Sequence, residues 1–237
     1  MKITRHSFLL LCLLTAVPFA RAQETAAQPG TSKARFEDDI NAFLAADKTN
    51  PPPKGAILFI GSSIFRQWAD LKEQMAPLPV FNRAFGGSQT SDILYHMDKI
   101  VLPYEPRVIV YYCGSNDINA NQRAQAIADR FRQFVTRVRA RLPQTRVLFV
   151  SINRAPQKED KWAVVDAANA LIKEYCDSDK RLGFIDVNPL LFKDGKPRLE
   201  LYQPDKLHFL EPAYAELAAI IKPVVTKTWA SLGPSAK

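Results

Sequence analysis

The sequence predicts a single doubly wound α/β domain built on a parallel sheet, and three observations carry that prediction. Short apolar runs, among them residues 56–60 and 107–113, are bounded by turn residues, as strands covered on both faces are. Segments with apolar residues at helical spacing separate the runs. With 47% hydrophobic and 24% charged residues in 237, the chain can bury one sizeable core and shows no internal repeat.

The elements follow in order. Lys2, Arg5 and His6 precede an apolar run over residues 8–17, and Ala20-Arg21-Ala22 is a small-x-small site before Gln23. This reads as a secretory signal peptide over residues 1–22, cleaved after Ala22, and implies export to the periplasm or beyond. A buried N-terminal helix fits poorly, because the run is short and ends at Pro18. Cleavage removes three cations and no acid, so the formal net charge falls from +8 to +5. Residues 23–34 are small and polar and read as a flexible mature N-terminus. No apolar run reaches the roughly 18 residues of a membrane-spanning helix.

The domain itself is expected over residues 35–230, with a tail at 231–237. A helix is predicted over 35–46, with Phe36, Ile40, Phe43 and Leu44 on one side, and three prolines at 51–53 force an extended connector. Strands are predicted at 56–60, 79–82, 107–113, 146–151 and 183–187. Helices are predicted at 64–75, 92–102, 121–142 and 160–176. A last helix opens at Glu211-Pro212, with proline suited to a first turn, and Pro223 should kink it. The 121–142 helix carries Arg130, Arg132, Arg137, Arg139 and Arg141 off its apolar stripe, which reads as a solvated basic face. Without an aromatic stacking platform or a nucleic-acid motif, that charge gives no reason to expect a nucleic-acid partner.

Cysteine is too scarce for a disulfide scaffold. Cys113 and Cys176 read as two buried free thiols. After cleavage two histidines remain, and with no cysteine pair they make no convincing zinc site. No Gly-x-Gly-x-x-Gly, P-loop or Gly-x-Ser-x-Gly elbow is present, so no metal or organic cofactor is expected.

Ligands of such sheets bind at the carboxyl ends of the strands. There stand Gly61-Ser62-Ser63, Gly86-Gly87 and Gly114-Ser115-Asn116-Asp117, and near the C-terminus Asp205-Lys206-Leu207-His208. Each alone reads as a turn, a helix cap or a surface pair. Together and in this order they supply what nucleophilic acyl transfer needs: a hydroxyl, a base, a carboxylate that fixes the base, and oxyanion donors. Ser63 is the candidate nucleophile, His208 the base and Asp205 its partner. The Ser63 and Gly87 amides and the Asn116 carboxamide are candidate donors. His96, the other histidine, lies inside a predicted helix and reads as a surface or partly packed bystander.

These four blocks resemble the SGNH hydrolase superfamily, also called GDSL esterases, across residues 55–225. The resemblance implies a three-layer α/β/α flavodoxin-like sandwich with a five-stranded parallel sheet, and the roles just given for Ser63, Gly87, Asn116, Asp205 and His208. Gly-Ser-Ser stands where the family has Gly-Asp-Ser. The block with Arg66 and Trp68 is similar to a Gly-Ser-Ser subgroup, and both residues are expected to be structural. The function implied is an exported serine esterase acting through an acyl-enzyme. Alternatives are a lysophospholipase, thioesterase or acyltransferase and, last, a non-catalytic binding module. The connections after the first three strands are short, and residues 153–159 are polar, so an open, wet rim is expected. That rim suits an acetyl group on a carbohydrate or similar polar alcohol.

Overall fold

The computed structural model describes residues 35–233. The expected signal peptide, the expected mature N-terminus and the last four residues of the expected tail lie outside the described residues. Five strands, β1 (Ile57–Gly61), β2 (Val80–Asn82), β3 (Val108–Tyr112), β4 (Arg146–Val150) and β5 (Leu182–Ile185), pair in parallel in the order β2-β1-β3-β4-β5. This is the flavodoxin-like order, and it reverses between β1 and β3. Eight helices of the described residues surround the sheet: α1 (Glu37–Asp47), α2 (Ser63–Arg66), α3 (Leu71–Met75), α4 (Thr90–Ile100), α5 (Ser115–Asn119), α6 (Ala124–Arg141), α7 (Trp162–Asp177) and α8 (Glu211–Ala230).

Alternation along the strands builds two cores. Leu58, Ile60, Ile109, Tyr111 and Phe149 face α1, α4, α6 and α7. Ile57, Phe59, Val108, Val110 and Tyr112 face α2, α3 and α8. Burial on both faces explains why β1 and β3 are apolar almost throughout.

Several expectations are corrected. The helix expected over 64–75 is two short ones. Trp68 turns inward between them, edge-on to Phe59, and its indole N–H donates to Gln74 Oε1 at 2.8 Å. Packing of one large ring here overrides an unbroken helical pattern. The α6 arginines lie off the core, but the face is not a free basic one. Arg130, Arg132, Arg137 and Arg139 pair with Asp117, Asp129, Asp98 and Asp179. His96 is fully buried, because α1 and the chain after β2 close over α4. Its ring packs edge-on to Phe85 and Tyr95, and burial pushes its pKa down. Asn153 and Lys158, expected on a wet rim, are both buried. The helix expected to kink at Pro223 continues as one segment to Ala230. A small hairpin, β6 (Phe192–Lys193) with β7 (Lys196–Pro197), lies in the connection from β5 to α8. Cys113 and Cys176 are buried free thiols.

Candidate active site

Strand order sets the place. Chain leaves the sheet in opposite directions from β1 and β3, which opens a crevice at their carboxyl ends. β1 ends at Gly61, where a Cβ would lie 1.9 Å from the Tyr112 carbonyl oxygen, so only glycine fits against β3. Ser62 follows in an extended conformation, and its N–H donates to the same carbonyl at 3.1 Å. Ser62 is buried and its hydroxyl has no partner among the described residues, whereas Ser63 opens α2 and is only half-buried. The two adjacent serines therefore part, one into the protein and one toward the crevice.

The Ser63 Oγ lies 2.9 Å from His208 Nε2, and His208 Nδ1 lies 2.6 Å from Asp205 Oδ2. An ionised carboxylate only accepts, so Nδ1 carries the proton and Nε2 is left as the acceptor facing the serine hydroxyl. Partial burial pushes the Asp205 pKa up. The His208 ring and the His208 and Leu207 amides outweigh that and hold it below the usual range. The loop closes on itself through Gln203 N–H to the His208 carbonyl and Lys206 N–H to the Gln203 carbonyl, both at 2.8 Å. This relay can move a proton from Ser63 to His208 as the oxygen attacks a carbonyl carbon.

The other side of the crevice carries the candidate donors. Gly87 has a φ of +78°, a conformation that favours glycine. The Asn116 carboxamide nitrogen donates one hydrogen to the Ser88 carbonyl at 2.9 Å, which leaves its second hydrogen to offer. Among the described residues no cluster of three or more His, Cys, Asp or Glu side chains could hold a metal ion.

The family model of the GDSL-like lipase/acylhydrolase family matches residues 59–215, from within β1 into α8. The chain belongs to this family. It is an ester-bond hydrolase. No curated protein matches it in sequence. Among solved structures, a GDSL-like lipase from Bacteroides thetaiotaomicron is 16% identical with a TM-score of 0.66, over 79% of this chain and 97% of that one. A carbohydrate esterase family 3 protein from Talaromyces cellulolyticus is 19% identical with a TM-score of 0.61, over 72% and 96%. An acetyl esterase carrying a serine-to-alanine substitution, with acetate ion, is 14% identical with a TM-score of 0.62, over 75% and 99%. All three share the fold.

In this acylhydrolase, residues with no role of their own assigned from the sequence tie the blocks together. Ser88 is fully buried, and its hydroxyl lies 3.2 Å from the Gly61 carbonyl and 3.0 Å from that of Phe85. Its own carbonyl receives Asn116, so one residue links the first and third blocks from directly behind the second; its place after the glycine pair was the available signal. The buried Asp117 carboxylate accepts from the Thr90 amide and hydroxyl and from Arg130. Burial pushes its pKa up, against those hydrogen bonds. Lys158 donates to Ser115 Oγ at 2.5 Å, and burial, helped by Lys161, lowers its pKa to about 8. The adjacent Gln157 N–H donates to the Lys206 carbonyl at 3.1 Å. One segment therefore touches both the donor loop and the acid–base loop. A lysine in a polar stretch gave no sign of such burial.

Proposed function

We propose that the protein is an exported serine esterase that removes a short acyl group, acetyl in the first place, from a carbohydrate or similar polar alcohol. The continuous Asp205–His208–Ser63 hydrogen-bond chain carries the catalytic part of this reading. Ser63 attacks the ester carbonyl and His208 takes its proton. Asp205 holds the imidazole in one tautomer. The Ser63 and Gly87 amides and the Asn116 carboxamide stabilise the tetrahedral oxyanion. His208 then protonates the leaving alcohol, and water, activated by the same imidazole, releases the acid.

The surroundings of Ser63 bear on substrate size. Gln67 and Gln203 bridge across the nucleophile helix and the acid–base loop at 3.1 Å, both polar and at least partly exposed. A neighbouring cavity of only about 140 Å³ has Trp68, Phe209 and Tyr214 in its wall, with Gln67, Asp70 and Gln203 among its polar residues. A long acyl chain gains about 0.8 kcal/mol per CH₂ only where it is buried, and a cavity of this volume has room for a short acyl group rather than a long one. The carbohydrate esterase and acetyl esterase among the structural neighbours favour the same substrate class. Export rests on the charged start, apolar run and Ala20-Arg21-Ala22 site of residues 1–22.

Two measurements test the reading. A fluorophosphonate should label Ser63, located by peptide mass mapping. A series of p-nitrophenyl esters from acetate to palmitate should give the highest kcat/KM at two to four carbons. A maximum at eight carbons or more would overturn the short-acyl assignment and favour a lysophospholipase or thioesterase.

A further inference from the structure

Two arginines converge on the glycine pair beside the candidate oxyanion site. Arg66 lies at the end of α2, three residues after Ser63, and is exposed. Its guanidinium rests against Gly86: a Cβ there would meet Arg66 Nη1 at 3.0 Å and Cδ at 3.4 Å. Arg35 approaches from ahead of α1, donates from Nη2 to the Gly87 carbonyl at 3.1 Å, and would lie 3.5 Å from a Cβ on Gly87. Neither forms an ion pair with any described residue, whereas four arginines of α6 each have a carboxylate. Arg35 also lies over the Phe36 ring at 4.9 Å, and two guanidinium groups at consecutive residues, neither balanced by a carboxylate, leave a local positive potential that an anion can occupy. Guanidinium is the side chain suited to bind a carboxylate or phosphate by paired hydrogen bonds.

We propose that Arg66 and Arg35 form an anion subsite, and that the preferred ester carries a carboxylate or phosphate group close to the scissile bond. This rests on the esterase reading and narrows it, from polar alcohols in general to substrates with an acidic group. Arg66 and Arg35 act here as specificity residues. They bind a remote part of the substrate and take no part in proton transfer.

The test uses two pairs of esters that differ by one charge. 4-Acetoxybenzoate against 4-acetoxybenzamide places the charge on the alcohol part. The mono-p-nitrophenyl ester of adipate against that of adipamate places it on the acyl part, in a chain too long to close readily on its own ester. Each kcat/KM is divided by the alkaline hydrolysis rate of the same ester. The charged member of at least one pair should be preferred about 3- to 10-fold at low salt, as befits exposed charge pairs. The pair that responds tells which part of the substrate bears the anion. The preference should shrink toward one in 0.5 M NaCl, where the screening length is only a few ångströms. It should also shrink in Arg66→Gln, and further in the Arg66→Gln, Arg35→Gln double variant. Lys180→Gln, ahead of β5 at the opposite end of the sheet, should keep the wild-type ratio. No preference in either pair, or an equal preference in Arg66→Gln, would overturn the subsite while leaving the esterase reading intact. Failure to hydrolyse even the neutral esters, with no fluorophosphonate labelling of Ser63, would overturn both.

Discussion

The loops carrying Asp117 and Asp205 both serve the same crevice, yet they are built in opposite ways. Asp117 is fully buried, and its oxygens are taken up by Thr90 and Arg130. Asp205 has nearly half its side chain exposed, and its oxygens are taken up by His208 and the turn that holds it. Burial raises the pKa of the first, while hydrogen bonds lower that of the second. The buried carboxylate locks α4, α5 and α6 together behind the donors. The exposed one orients the proposed base. A carboxylate fixed by protein donors can shape a site. One that faces a titratable ring can take part in the chemistry of that ring.

The largest effect should come where the two loops meet, at the nucleophile. Ser63→Ala should lower kcat for p-nitrophenyl acetate by at least about 10⁴-fold, whereas Ser62→Ala, which removes a buried hydroxyl with no described partner, should keep most of the activity. The reverse pattern would reassign the nucleophile. The two aspartates should then separate cleanly. Asp205→Asn should cost about 10³- to 10⁴-fold in kcat through the wrong imidazole tautomer, with urea stability within about 0.5 kcal/mol of wild type. Asp117→Ala should instead lower stability by about 3–5 kcal/mol, since it leaves Arg130 and the Thr90 groups without their acceptor. Equal stability losses in the two variants would erase the contrast. Within the donor loop, Asn116→Ala should lose about 10²- to 10³-fold in kcat with little change in KM. A loss confined to KM would mean that Asn116 contacts the ground-state substrate.

The smallest effect concerns Lys158, which contacts the donor loop directly. Its pKa falls from 10.5 to about 8 on folding, so between those values the unfolded chain binds the extra proton. Wild-type stability therefore contains a component that rises as pH climbs from about 8 to 10.5, by up to about 3 kcal/mol. Lys158→Met should lack that component, seen as the difference between the two proteins in urea titrations at pH 7.5 and pH 10. Parallel behaviour would mean that Lys158 titrates as an exposed lysine does.

The sheet was legible because both of its faces are covered, which leaves a run such as residues 57–60 almost no polar choice. The four chemical blocks were legible because each sits directly after a strand or before α8. What could not be read depends on neighbours distant in sequence. His96 is buried by α1 and by Phe85, and Lys158 by the donor loop, though both stand in segments of ordinary polarity. The break between α2 and α3 is set by the place Trp68 finds against Phe59 and Tyr214. The β6–β7 strands are two residues each, too short for any periodicity to mark.

Ser63 and His208 touch across 145 positions of sequence, one just after the first strand and the other just before the last helix. On the proposed triad, catalytic competence therefore waits on a contact between distant parts of the chain. A molecule in which the 205–208 turn has not yet met Ser63 would hold the proposed nucleophile and donors without a base, and would be inert. Joining ends so distant slows folding more than it weakens the final state. Ester turnover thus works as a clock for the closing step. After dilution from denaturant, activity should return later than the helical signal.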